Sequence, residues 1–199
     1  MSITEIPLDI STYLLPVSGT ELFNNSNYTA LEIGFGEGEF IVELSKKYSE
    51  WNFVGIEVKY YRYLKALNLA RKEDVQNLKL IHIEAAIALE QIFCVESFER
   101  VYINFPDPWP KEKHAKHRLI NDNFLKDLHR IMRKGAVIEF VTDSGEYADN
   151  TSYCFDDFHG FKINDEVPEI NSDRPVTRFQ KEFNKQSKKI YFLSYIKTG

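Results

Sequence analysis

Only two cysteines, Cys94 and Cys154, occur in 199 residues. They cannot build a disulfide framework and are too few for a cysteine-based zinc site. Both read as buried thiols in a reducing compartment, which places the protein in the cytoplasm. No apolar run approaches the ~18 residues of a membrane span. The opening residues MSITEIPLDI have neither the positive n-region nor the apolar h-region of a secretory signal. Positive charge is also missing early: the first 45 residues hold seven acids and no Lys or Arg.

Apolar and aromatic residues are plentiful, at 43% and 14% of the chain. One domain of this length buries roughly 70% of the surface its unfolded chain exposes. The net charge of −5 hides blocks of opposite sign. Residues 111–134 hold eight bases against three acids, 143–173 nine acids against one base, and 174–189 six bases against one acid. Patches decide binding to a polyanion, because charges act over about a Debye length, ~10 Å at 0.1 M salt.

Runs rich in Val, Ile and Phe at 29–33, 52–58, 78–83, 100–105 and 136–142 predict strands. Helical spacing fills 39–48, 61–72, 85–93 and 122–132 between them. Alternation of this kind predicts an α/β doubly wound domain with right-handed crossovers. Residues 189–197 are a last strand, set antiparallel beside one around 161–164. The expected sheet is seven-stranded and mostly parallel. Residues 1–28 have mixed polarity and are expected as a tail or lid on a domain spanning 29–199.

After the first strand the chain reads LEIGFGEGEF, with Gly34, Gly36 and Gly38. A dinucleotide fingerprint would need a sixth-position glycine where Glu39 stands. Glu32, Glu37, Glu39 and Glu43 crowd the place a pyrophosphate would occupy, which disfavours a nicotinamide cofactor. A phosphate-free ligand of net positive charge suits the loop better. S-adenosylmethionine, with a sulfonium and an ammonium against one carboxylate, fits that description. Glu57 ends the second strand, 23 residues after Gly34, where a carboxylate bonds ribose hydroxyls in nucleoside sites. Glu84 ends the third, placed either for an adenine amino group or for the dipole of a helix N-terminus.

The fourth strand runs into Asn104-Phe105-Pro106-Asp107-Pro108-Trp109-Pro110-Lys111. Three prolines stiffen this loop and hold Asp107 and Trp109 in defined positions. Together with His114, Lys116 and Arg118, the loop closely resembles the signature of the bacterial tRNA (guanine-N7-)-methyltransferase family. The resemblance runs from LEIGFGEG through GIEV and Val141-Thr142-Asp143 to Thr177-Arg178-Phe179-Gln180.

The resemblance implies a Rossmann-like class I enzyme that moves a methyl group from S-adenosylmethionine to N7 of a tRNA guanosine, nucleotide 46 of the variable loop. It makes Glu32, Gly34, Gly36, Gly38, Glu57, Glu84, Asn104 and Asp107 cofactor contacts, and Asp107 the catalytic residue. Lys111, Asp143, Thr177, Arg178, Phe179 and Gln180 become substrate contacts. Two departures stand out. Gln180 replaces the family's usual glutamate, and Glu112 and His117 dilute the basic run. Arg118, Arg174 and the lysines of both basic blocks are expected to grip phosphate. His114 and His117 read as RNA contacts or loop packing, so no metal is expected. The expected partner is tRNA and no membrane, with the protein a monomer or homodimer. A methylator of another RNA or of an exocyclic amine, and a catalytically silent RNA-binding protein, remain as alternatives.

Overall fold

The computed structural model describes residues 6–109, 118–164 and 174–199. Its strands are Thr29–Ile33 (β1), Asn52–Glu57 (β2), Leu78–His82 (β3), Phe98–Asn104 (β4), Met132–Thr142 (β5), Phe161–Ile163 (β6) and Tyr191–Lys197 (β7). They pair in the order β3-β2-β1-β4-β5-β7-β6. Pairs from β3 to β5 are parallel, and β7 runs antiparallel to both β5 and β6. The order reverses between β1 and β4. That switch point opens a crevice at the carboxyl ends of the strands.

Both faces of the sheet are covered, which explains why β1 and β2 are buried at every position. Helices Glu39–Lys47 (α2) and Tyr60–Lys72 (α3) cover one face through Phe40, Ile41, Leu44, Ala66, Leu67 and Ala70. The other face carries Ala85–Ile87 (α4) with a following π-helical turn, Asp122–Ile131 (α5) and Gly145–Phe158 (α6). In α5, Phe124, Leu125, Leu128 and Ile131 form one buried stripe. Asn121 caps that helix by accepting from the Phe124 amide at 3.1 Å.

Three helices escape the sequence reading: Gly19–Phe23 (α1), α6 and Arg178–Lys185 (α7). In α6 the buried positions are Tyr147, Ala148, Thr151 and Phe155. A threonine in mid-stripe and the surrounding acids blur the helical period. In α7 no residue is buried, so apolar periodicity has little to report. Strand β5 also starts at Met132 rather than at 136.

The N-terminal residues 6–28 lie along the β3 edge and then cross beneath the sheet. The Leu80 amide donates to Ile6 and the Leu8 amide to Leu80, at 2.8 and 3.0 Å. Val17 is buried and donates to Ile92 at 2.8 Å.

Helices α2 and α3 meet at Gly38, where φ is +89°. An added Cβ would lie 2.6 Å from the Ala66 Cβ. Gly38→Ala combines left-handed strain with overpacking and is expected to cost about 2–4 kcal/mol. At ~2–4 °C per kcal/mol for a domain this size, the melting temperature falls by at least about 4 °C. An unchanged melting curve would contradict the packing described.

Candidate active site

The glycine turn leaves β1 because Gly34 and Gly36 adopt φ of +76° and +59°, a region other residues enter at a cost. Nothing lies within 4 Å of where a Cβ would stand on either. The turn is braced from β2. The Gly34 amide donates to Ile56 at 2.8 Å, and the Gly36 amide donates to Glu57 at 3.0 Å. Glu57 also accepts from the Lys59 amide at 2.8 Å. Glu57 therefore shapes the turn as well as facing the crevice. The crevice offers about 250 Å³ of water-accessible space, with Gly34, Glu57, Glu84, Asn104, Asp107 and Trp109 among its walls.

Glu32 is buried behind the turn at 2% exposure. One carboxylate oxygen accepts from the Asn104 side-chain amide at 2.8 Å. The other has no partner among the described residues. Burial pushes this carboxyl up to about 8; the Asn104 hydrogen bond and Arg174 oppose the shift, and Glu39 and Glu57 add to it. Asn104 is committed at both ends, since its carbonyl oxygen accepts from the Arg174 guanidinium. Arg174 in turn pairs with Glu139 at 3.2 Å, and Glu139 with Arg100 at 3.0 Å. The register explains the grouping: Glu32 lies beside Tyr102, and Tyr102 beside Glu139. All three side chains fall on one face of the sheet.

The proline-rich loop begins with Phe105 at φ +49°, its amide donating to Val141 at 2.7 Å. That left-handed residue redirects the chain over the crevice and places its ring 5.5 Å from Phe183 and 6.3 Å from Phe179. Asp107 stands at the lip, with a carboxylate oxygen 3.9 Å from the Lys59 ammonium. Lys111 lies outside the described residues, as do His114, Lys116 and His117. Arg118 is not a phosphate contact: it is 8% exposed and turned inward. It donates to the Pro108 carbonyl at 3.0 Å and pairs with Glu146. It therefore anchors the proline loop to α6.

Thr177, Arg178 and Phe179 roof a smaller space of about 60 Å³ floored by Glu32, Gly36 and Asn104. Thr177 caps α7, accepting from the Gln180 amide at 3.0 Å. The Gln180 side-chain oxygen is buried without a partner among the described residues. Arg178 reaches Glu37 of the glycine turn at 3.2 Å, beside Lys65 at 2.8 Å. Asp143 sits apart, outside both spaces, paired with Lys188 at 3.3 Å. Three neighbours escape the sequence reading: Lys59, Arg62, which borders both spaces, and Glu139. Only the fold brings them in: Lys59 meets Asp107 and Glu139 meets Arg100 and Arg174 across long stretches of sequence, and Arg62 reaches both spaces from α3. Among the described residues no three His, Cys, Asp or Glu side chains converge as a metal site. None of the described helices is long and apolar enough to cross a membrane.

The fold matches a solved 16S rRNA (adenine(1408)-N(1))-methyltransferase from Catenulisporales acidiphilia, determined with its cosubstrate S-adenosylmethionine. The TM-score is 0.64 at 16% identity, over 96% of this chain and 92% of that one. A family model described as "Putative methyltransferase" matches residues 26–193. Fold, glycine turn and strand-end carboxylates thus define a Rossmann-like methyltransferase. The tRNA (guanine-N(7)-)-methyltransferase of Thermotoga maritima is 33% identical over 97% of this chain and 62% of its own length. The enzyme of that name from Buchnera aphidicola is 33% identical over 96% of this chain and 81% of its own. The chain belongs to the tRNA (guanine-N(7)-)-methyltransferase family. It spans a little under two thirds of the Thermotoga relative.

Proposed function

We propose that this chain transfers a methyl group from S-adenosylmethionine to N7 of a guanosine in tRNA, nucleotide 46 of the variable loop. One observation carries the reading: two adjoining spaces at the switch point share Gly34, Asn104 and Phe105, with Glu32 and its unpartnered oxygen at the floor of the smaller and Asp107 on the wall of the larger. The residues fit the cofactor. The open Gly34 and Gly36 positions leave room for bare backbone contact, and the second Glu32 oxygen is an acceptor awaiting a cation such as its ammonium. Glu57 and Glu84 lie at successive strand ends, for ribose hydroxyls and for the base. The cofactor supplies an electrophilic methyl group on a sulfonium.

Guanine N7 has an in-plane lone pair and no proton, so no residue here needs to act as a base. What the chain supplies is alignment and charge. Asp107, at the lip, accepts from the guanine N1–H and exocyclic amine and offsets the positive charge that develops on the base. Phe179 and the Thr177 cap roof the adjoining smaller space. Arg178, Lys181, Lys185, Lys188 and Lys189 supply phosphate contacts. About five such contacts predict a log–log salt slope between about −3.5 and −4.5 for tRNA binding; a flat dependence contradicts an electrostatic grip.

Cofactor binding should depend steeply on pH. With free Glu32 titrating at about 8, a cationic ligand must displace its proton at lower pH. Affinity then falls about tenfold per pH unit below that value and levels above it. Calorimetry in buffers of different ionisation enthalpy checks this by the proton released. No proton release at neutral pH would contradict the role given to Glu32.

The activity itself is tested by transfer of labelled methyl to an unmodified tRNA transcript, beside one with the variable-loop guanosine changed to adenosine. Label on the first alone, with N7-specific cleavage at that guanosine, is the expected result. Label on both transcripts, or on neither, overturns the assignment.

A further inference from the structure

The cofactor crevice and the α7 segment share a line of polar contacts that neither role requires. Arg174 has a side chain 9% exposed and begins the stretch that leads to Thr177 and α7. Its guanidinium sits 4.6 Å from the Phe40 ring centroid, donates to the Asn104 carbonyl oxygen and pairs with Glu139. An arginine can only donate. It therefore fixes the orientation of the Asn104 amide, carbonyl towards Arg174 and NH₂ towards Glu32. The free Glu32 oxygen then remains the acceptor at the floor of the smaller space that adjoins the crevice.

We propose that Arg174 is a positioning residue that couples cofactor binding to the α7 segment, acting through Asn104 on Glu32. The inference rests on the cofactor reading given above. A cation placed against Glu32 from the smaller space displaces its proton, and the ionised carboxylate is the stronger acceptor for Asn104 and, through the amide, strengthens the bond to Arg174. The segment from Arg174 to Gln186 is held more firmly when the crevice is filled. By linkage, anything that holds that segment tightens cofactor binding by the same factor. The groups facing Glu32 from its neighbours are Asn104 on β4, Glu39 on α2, Glu57 on β2 and Arg174 itself. Arg174 is the cation among them.

The test uses the full chain and S-adenosylhomocysteine, which keeps the ammonium, with no RNA present. Affinity is measured by calorimetry for Arg174→Met, Glu32→Gln and the double variant. Arg174→Met leaves Glu139 paired with Arg100 at 3.0 Å, so a counter-ion remains. Arg174→Met is expected to weaken binding about tenfold alone and less than about twofold in the Glu32→Gln background. Hydrogen exchange of residues 174–186 is expected to slow on ligand addition in the parent protein and not in Arg174→Met. If that variant does not fold, Arg174→Lys serves instead. It keeps the charge without the fork that reaches Glu139 and Asn104 together, and is expected to give about a threefold loss that likewise vanishes in the Glu32→Gln background. Additive losses in the cycle, or exchange unaltered by ligand in the parent protein, overturn the coupling alone. Failure of the parent protein to bind overturns the cofactor reading and the coupling with it.

Discussion

Asp107→Asn is expected to reduce single-turnover methyl transfer about 10²–10³-fold, the usual effect of losing one preorganised electrostatic contact to a transition state. Cofactor affinity should stay within about twofold, because the loss belongs to the step in which charge develops. The geometry favours this split. Asp107 stands at the lip with its side chain 69% exposed, whereas the buried acceptor, Glu32, lies at the floor of the adjoining space. Its position is set by backbone: left-handed Phe105, Pro106 and Pro108, and the Arg118 tie to the Pro108 carbonyl. Asparagine keeps the shape and removes the charge. Rapid-quench measurement of one turnover, with calorimetry alongside, separates the two effects. Turnover retained with intact cofactor binding would remove Asp107 from the chemistry.

The largest loss of stability is expected from Glu139→Leu. The carboxylate lies between two guanidinium groups, Arg100 at 3.0 Å and Arg174 at 3.2 Å, and all three side chains are at most 10% exposed. Removing it strands two buried positive charges on one face of the sheet. Breaking a buried ion cluster in this way costs about 3–5 kcal/mol. At ~2–4 °C per kcal/mol, the melting temperature falls by roughly 6–20 °C. Arg100→Met is expected to cost less, because Glu139 keeps Arg174. Equal melting temperatures for the two variants would show that the shared carboxylate is not the centre of the cluster.

The sheet was legible because its strands are continuous apolar runs, the pattern of strands covered on both faces. The glycine turn and proline loop were legible because φ-restricted and φ-permissive residues must occur where the backbone needs them. Arg118 and Arg174 show where such reading stops. Each looks like one more cation in a basic block, yet each is buried against a carboxylate 28 or 35 residues away in sequence. Charge counts along a chain carry no information about such pairing. Helix α7 was hidden for the opposite reason: without a buried residue it leaves no apolar stripe, and its cap at Thr177 is a local signal easily taken for a loop. The residues of the proposed substrate wall were thus named by the resemblance, while the helix that carries them was not.

The line from Glu32 to Arg174 also has a place in time. During synthesis, strands β1 to β4 with their glycine turn leave the ribosome well before the residue that completes the site. Glu32 and Arg174 are 142 residues apart by their numbering. At about 5–20 residues per second, the carboxylate waits roughly 7–30 s for its guanidinium. β7, which fills the gap between β5 and β6, arrives later still. A nascent chain can therefore have most of its parallel strands in hand while its acceptor for the cofactor is still incomplete, and competence waits for β7.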